Sequence, residues 1–157
     1  MSEKTFLVHW FSGVNHFLER AAPDALAQFV GACASACSAS YSRGVYEQAF
    51  ESASKAHPAG PERLRAGLDE LARIFPDFAY TLHPDRIEIR YSHCGCDLVT
   101  EKLLSSPKLC LCSVQSLREN WELIHGKGLV DVGLEESILQ GGHCCRFSVR
   151  LHPLQQA

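Results

Sequence analysis

Phe78-Ala-Tyr-Thr-Leu-His-Pro-Asp-Arg-Ile-Glu-Ile-Arg-Tyr91 decides the fold class. Phe78, Tyr80 and Leu82 alternate with Ala79 and Thr81, and Ile87, Ile89 and Tyr91 alternate with Glu88 and Arg90. Side chains two apart share one face of a strand, so each run reads as a half-buried strand. Pro84-Asp85 supplies the turn, and the whole reads as a β-hairpin.

Upstream the period is helical. Leu7, Trp10, Phe11, Val14, Phe17 and Leu18 share a face over Thr5 to Arg20. Ala-Ala-Pro-Asp at 21–24 breaks that helix, and Pro23 with Asp24 suits the first turn of the next. The second helix is expected to run to about Ser40, with Leu26, Phe29, Val30, Cys33 and Cys37 on its inner side. Small residues crowd Gly31 to Ser42, which permits close packing. Tyr46 to Lys55 reads as a short third helix. Pro61 opens a fourth with Leu64, Leu68, Leu71 and Ile74 as its stripe, and Pro76 ends it.

Downstream, Cys94 to Leu111 reads as a loop. A helix then carries Leu117, Trp121 and Ile124, with Ser113 or a Ser116–Glu119 box as its cap. Leu129 to Leu134 and Cys145 to Leu151 read as strands around a Gly141-Gly142 turn. The expected fold is α+β in one domain, 1–157. Residues 1–75 form a helical part, packed on a mostly antiparallel four-stranded sheet from a hairpin–helix–hairpin part, 78–151.

The 157 residues are 46% hydrophobic with a net charge of −3. The length and apolar content suit a folded core rather than a disordered chain. The charge argues against a nucleic-acid partner, which needs a basic face. No apolar run is long enough to span a membrane, and the N-terminus does not read as a secretory leader. The expected compartment is therefore the cytoplasm, where stable disulfides are rare.

Eight cysteines fall in four close pairs: Cys33/Cys37, Cys94/Cys96, Cys110/Cys112 and Cys144/Cys145. Residues i and i+2 of an extended segment point the same way, so Cys94 and Cys96 can face one point. Cys110 and Cys112 repeat that spacing just before a helix, whose N-terminus favours thiolate. Two such pairs suit a tetrahedral sulfur site, and zinc is the expected metal. Cys94, Cys96, Cys110 and Cys112 are the primary ligand candidates, with Cys33 and Cys145 next. The alternatives are buried or reactive thiols, and disulfides. Cys33 and Cys37 also fit a core stripe. His143, His93, His9 and His16 read more simply as surface histidines. No phosphate-binding glycine loop, nucleophile elbow or H-E-x-x-H stands in the chain, so no catalytic residue is assigned.

Four blocks then occur in order: Cys94-Gly-Cys96-Asp-Leu-Val, Leu109-Cys-Leu-Cys112-Ser, Val130-Asp-Val-Gly-Leu-Glu-Glu-Ser137-Ile-Leu and Gly141-Gly-His-Cys-Cys145-Arg-Phe-Ser-Val. Together with Gly31 and Cys33 they resemble a group of small bacterial cysteine-rich proteins of unknown function. That group is itself labelled as similar to L-2-amino-thiazoline-4-carboxylate hydrolases. The closing strand also resembles 4-vinyl-reductase, or hydrocarbon-binding, domains. The resemblance spans roughly residues 31–36 and 86–151, and it brings Cys33 and Cys145 toward the C-x-C pairs. It implies a metal-binding module for a small apolar or thiol-containing ligand, with Trp10 and Phe17 as candidate pocket walls. The alternatives are a hydrolase acting on a small cyclic C–N or C–S compound, and a thiol redox sensor.

Overall fold

The computed structural model describes residues 3–154, and side chains from residue 5 onward. Six α-helices and four strands follow one another: α1 Glu3–Arg20, α2 Pro23–Cys37, α3 Arg43–Ala56, α4 Gly60–Ile74, β1 Phe78–Leu82, β2 Ile87–Tyr91, α5 Asp97–Thr100, α6 Cys110–His125, β3 Val130–Glu136 and β4 Cys145–Leu151. The change of hydrophobic period near Pro76 is thus the boundary between helices and sheet, and the fold is α+β.

The sheet order is β1-β2-β4-β3, antiparallel throughout. β4 is central, so it pairs with both hairpins. Tyr91 stands opposite Cys145, Ile89 opposite Phe147 and Ile87 opposite Val149. One face of the sheet is therefore apolar. Leu68, Leu71, Tyr46, Phe50, Leu117 and Trp121 close over it from α4, α3 and α6. Trp121 is completely buried and meets Tyr46 and Phe50 edge-on. Such contacts add about 0.5–1.5 kcal/mol each beyond area burial.

α2 and α3 are not separate helices. A π-helical turn, Ser38–Ser42, joins them. Asn120 of α6 holds it: Ser38 Oγ donates to Asn120 Oδ1 at 2.7 Å, and Asn120 Nδ2 donates to Ser42 Oγ at 2.9 Å. A π turn adds one residue to the helical repeat and rotates the helix beyond it. Both α2 and α3 thereby present a face to α6. On α2 the buried positions are Leu26, Val30 and Ala34, four apart, and Ser38 continues that row into the π turn. Cys37 is exposed and Cys33 half-buried, so the expected core stripe through both cysteines is shifted by one position.

α1 packs through Leu18, Phe11 and Val14 on Leu26, Val30 and Leu104. Its polar side grips the loop before α6. Asn15 Oδ1 accepts from the backbone N–H of Ser105 and Ser106 at 3.0 and 3.1 Å, and Lys108 Nζ donates to the Glu19 carbonyl at 2.9 Å. Ser106 Oγ donates to Glu19. Phe6 and Trp10 stand 69% and 67% exposed, and Phe17 is also exposed. Trp10 and Phe17 therefore do not wall an interior pocket. Core side chains of the helices pack directly on the sheet, and neither of two surface grooves, of ≈ 440 and ≈ 350 Å³, is lined by a cysteine.

Two outcomes test this packing. A Cβ built on Gly67 would stand 2.5 Å from the buried ring of Phe50. Gly67→Ala gains up to about 1 kcal/mol of helix propensity, but overpacking costs about 1–3 kcal/mol. Because Phe50 is wedged against Trp121, the net effect expected in urea melts is destabilisation. The second outcome concerns alkali. Burial pushes the Tyr91 phenol up to about 12 from 10.0, and burial raises Tyr46 well above its ordinary value. An unfolded chain then loses phenolic protons that the folded one keeps. Stability is full below pH 10 and falls as pH rises toward the folded values, by roughly 2–3 kcal/mol for a shift like that of Tyr91. Tyr91→Phe should flatten that fall, read by melts between about pH 9 and 12; an unchanged slope would refute the assignment.

Candidate metal centre

Cys110 and Cys112 lie in the first turn of α6, not ahead of it. A 3-10 turn, Pro107–Leu109, leads directly into the helix, and Ser106 Oγ accepts from Lys108 N at 3.3 Å to start it. Neither Ser113 nor Ser116 caps the helix, because the chain is already helical at Cys110. The consequence is geometric. Residues two apart on an α-helix are rotated by roughly 200°, so these two thiols face opposite ways.

Cys110 faces the sheet and is buried. Its Sγ lies 3.0 Å from Ser137 Oγ. Ser137 is itself 1% exposed and sits at the end of β3, where its carbonyl accepts from Gly142 N at 2.9 Å. Gly142 has to lack a side chain, since a Cβ there would stand 2.9 Å from that carbonyl oxygen. Burial raises the Cys110 thiol above its ordinary value. The nearby thiols Cys145, Cys94 and Cys96 raise it further, while Ser137 works the other way.

Cys112 faces α2. It packs on the Leu18, Leu26, Val30 and Leu104 cluster. Burial pushes its thiol up to about 12, and Cys37, Cys33, Cys96 and Glu119 add to the rise. Burial and Cys37 likewise raise Cys33. Cys96 is thus the neighbour that Cys110 and Cys112 share.

Cys94 and Cys96 lie in the irregular segment beyond the bend at Ser92–His93 that ends β2, outside any strand, with Cys96 extended. Cys96 is the residue that starts α5, and its carbonyl accepts from Val99 N and Thr100 N. Cys145 is the first residue of β4, opposite Tyr91 and buried on the helix side of the sheet. Cys144 stands apart, beside Glu136, Arg146 and Arg90, where burial and the Glu136 carboxylate raise its thiol. His143 is exposed and donates its backbone N–H to Glu136, and His93 is an exposed partner of Asp77.

Seven of the eight cysteines therefore fall into two sets around the N-terminus of α6, Cys94, Cys96 and Cys145 about Cys110 and Cys33, Cys37 and Cys96 about Cys112, with Cys96 common to both. All eight are free thiols. Among the described residues no three His, Cys, Asp or Glu side chains are drawn up at ligating separations in this metal-free geometry. Burial is the main cause of the raised thiols at Cys33, Cys110 and Cys112, and neighbouring thiolates add to it because each ionisation opposes the next. In the sequence Ser137 stood only within the third of the four resembling blocks, with no role of its own; its cue was the glycine pair that turns the chain back over it. Neither any protein-family model nor any curated protein matches the chain.

Accessibility and ionisation together set an order of reaction. In reduced, metal-free protein at neutral pH, iodoacetamide should label exposed Cys37 first, half-buried Cys112 much later, and Cys110 with Cys145 only on unfolding. Peptide mass mapping against time checks this, and early labelling of Cys110 would contradict the burial described.

Proposed function

We propose that the chain is a cysteine-rich, small-molecule-binding domain that holds zinc at the thiols around the start of α6. The observation that carries this reading is the set gathered about Cys110: Cys94 and Cys96 from the bend after β2, and Cys145 from the start of β4. Three segments far apart in sequence bring thiols within electrostatic reach of Cys110, and metal binding would have to draw them to ligating separations. The donors are all soft thiols, the set that tetrahedral zinc takes without redox chemistry. Ser137 then serves as the hydroxyl that hydrogen-bonds a ligating sulfur, a supporting contact of the kind that orients ligands.

In this reading Cys145 completes the set in place of Cys112, because Cys112 faces the other side of the helix. Metal binding would displace the thiol protons, including the one that burial holds on Cys110, and the cation's charge would offset the repulsion among the thiolates. The filled core favours a small thiol-containing ligand at the partly exposed Cys94–Cys96 edge over an apolar one between the layers. Eight unbridged cysteines suit a reducing cytosol. The resemblance to the cysteine-rich group with the hydrolase label agrees with a metal site but does not select a reaction.

The test is elemental analysis of protein purified without added metal, with melting curves. One zinc per chain is expected. Cys96→Ser and Cys110→Ser should lose it and melt lower, by about 2–4 °C for each kcal/mol lost. Cys144→Ser should keep it. Protein that carries no zinc, and whose melting does not respond when zinc is offered, would end this reading.

A further inference from the structure

We propose that α1 is a self-association surface: two copies of the chain pair through an antiparallel, two-fold contact along Phe6, Trp10, Gly13 and Phe17. The proposal stands whether or not the thiols hold zinc.

The four residues stand at i, i+4, i+7 and i+11 of α1. At about 100° per residue they fall on one stripe roughly 60° wide. The alternating steps of four and three are those of a coiled-coil seam. Leu18, Phe11 and Val14 occupy the neighbouring side of the helix, packed on Leu26, Val30 and Leu104. Asn15 and Glu19 reach the loop before α6 from the side turned away from the stripe. A contact along the stripe therefore leaves both attachments of α1 in place. Phe17 meets Phe29 edge-on, with ring centroids 5.4 Å apart, which fixes it at the end of the stripe.

Size complementarity points to a second copy as the occupant. In an antiparallel pair about a two-fold axis midway along the stripe, Phe6 meets Phe17 of the second copy and Trp10 meets its Gly13. The largest side chain of the helix then lies over the smallest residue. A two-fold contact has to be self-complementary in this way, residue i on j and j on i. Glycine inside a helix is unfavourable. A Cβ built on Gly13 meets none of the described residues within 4 Å, so packing within the chain gives no reason for it. An indole ring entering from outside does. Antiparallel pairing also sets the positive end of each helix dipole beside the negative end of the other.

The area suits a dimer. Phe6, Trp10 and Phe17 are 69%, 67% and 39% exposed. Aromatic side chains carry about 150–250 Å² each, so roughly 350 Å² of ring surface is bare on each copy. Apolar atoms make up about 60% of an interface, so two copies would bury roughly 1,100 Å² together. That is just above the roughly 1,000 Å² a specific contact needs, and the dimer should be concentration-dependent. A membrane surface fits less well. Helices that lie on membranes carry Lys and Arg along their polar face, and α1 has neither between Thr5 and Glu19.

The experiment is sedimentation equilibrium of the full chain across micromolar concentrations. The mass should rise from one chain toward two and stop there, because a two-fold contact closes on itself. Trp10→Glu should weaken the dimer at least about thirtyfold, as loss of a central aromatic anchor does. Gly13→Leu should weaken it comparably, by filling the place of the second copy's Trp10. Its melting temperature, measured at a concentration where the parent is monomeric, should not fall, because the added side chain meets open space and favours the helix. A purely structural role for Gly13 would give the opposite result. Circular dichroism confirms that both variants are folded, and their zinc content should equal the parent's, since the stripe holds no thiol. A benzophenone amino acid in place of Phe6 reads the register: its cross-link should map to residues around 17 of the second copy. A parent that stays monomeric, a dimer that survives Trp10→Glu or Gly13→Leu, or cross-links that map around residue 6 would overturn the proposal. So would a monomeric parent that binds phosphatidylcholine–phosphatidylserine vesicles through Trp10, which would assign the stripe to a membrane surface instead.

Discussion

A buried amide holds the helical layer in register. Asn120 is 3% exposed and Ser38 fully buried, yet Ser38 donates to the Asn120 amide oxygen and Ser42 accepts one of its two amide protons. An unsatisfied amide at this depth would cost about 1–3 kcal/mol. The π turn satisfies it locally, because it brings both serines to the same amide. That turn sets how α2 lies on α6 and how α3 delivers Tyr46 and Phe50 to Trp121. The position of every thiol on α2 and α6 depends on it.

The sheet was legible because strands announce themselves by alternation. Ile87, Ile89 and Tyr91 face the helices as their spacing requires, and so do Cys145, Phe147 and Val149. The helical half was legible in extent but less so in orientation. Hydropathy ranks Cys37 above Ala34 and Ser38, so a stripe drawn through apolar residues passes over Cys37. Packing prefers the small residues, because they let α2 approach α6 closely. Trp10 and Phe17 misled for the opposite reason: large aromatics suggest enclosure, but Trp10 stays exposed and Phe17 only meets Phe29 edge-on at the rim, while Leu18, with Phe11 and Val14 beside it, is the side chain that α1 buries.

The thiol pairs show how a shift of three residues in a helix boundary changes chemistry. Had α6 begun at Ser113, Cys110 and Cys112 would have shared a direction, as extended residues do. Beginning at Cys110, the helix sends one toward Ser137 and Cys145 and the other toward Cys33 and Cys37. No propensity in Pro107-Lys-Leu109 distinguishes these outcomes. The choice comes from Asn15 and Glu19, which hold the preceding loop from a helix some ninety residues earlier in the chain. Long-range hydrogen bonds of this kind leave no periodic trace.

That same tether makes α1 a mechanical element. It contributes no sulfur and only part of one small apolar cluster, yet its amide and carboxylate are the splint against which residues 103–108 are set. Force applied along α1, by a neighbour seated on its bare Phe6 and Trp10 end, would travel through Asn15 to the first turn of α6. Two thiols lie there, one on each side of the helix, so a displacement of that turn would reach both at once.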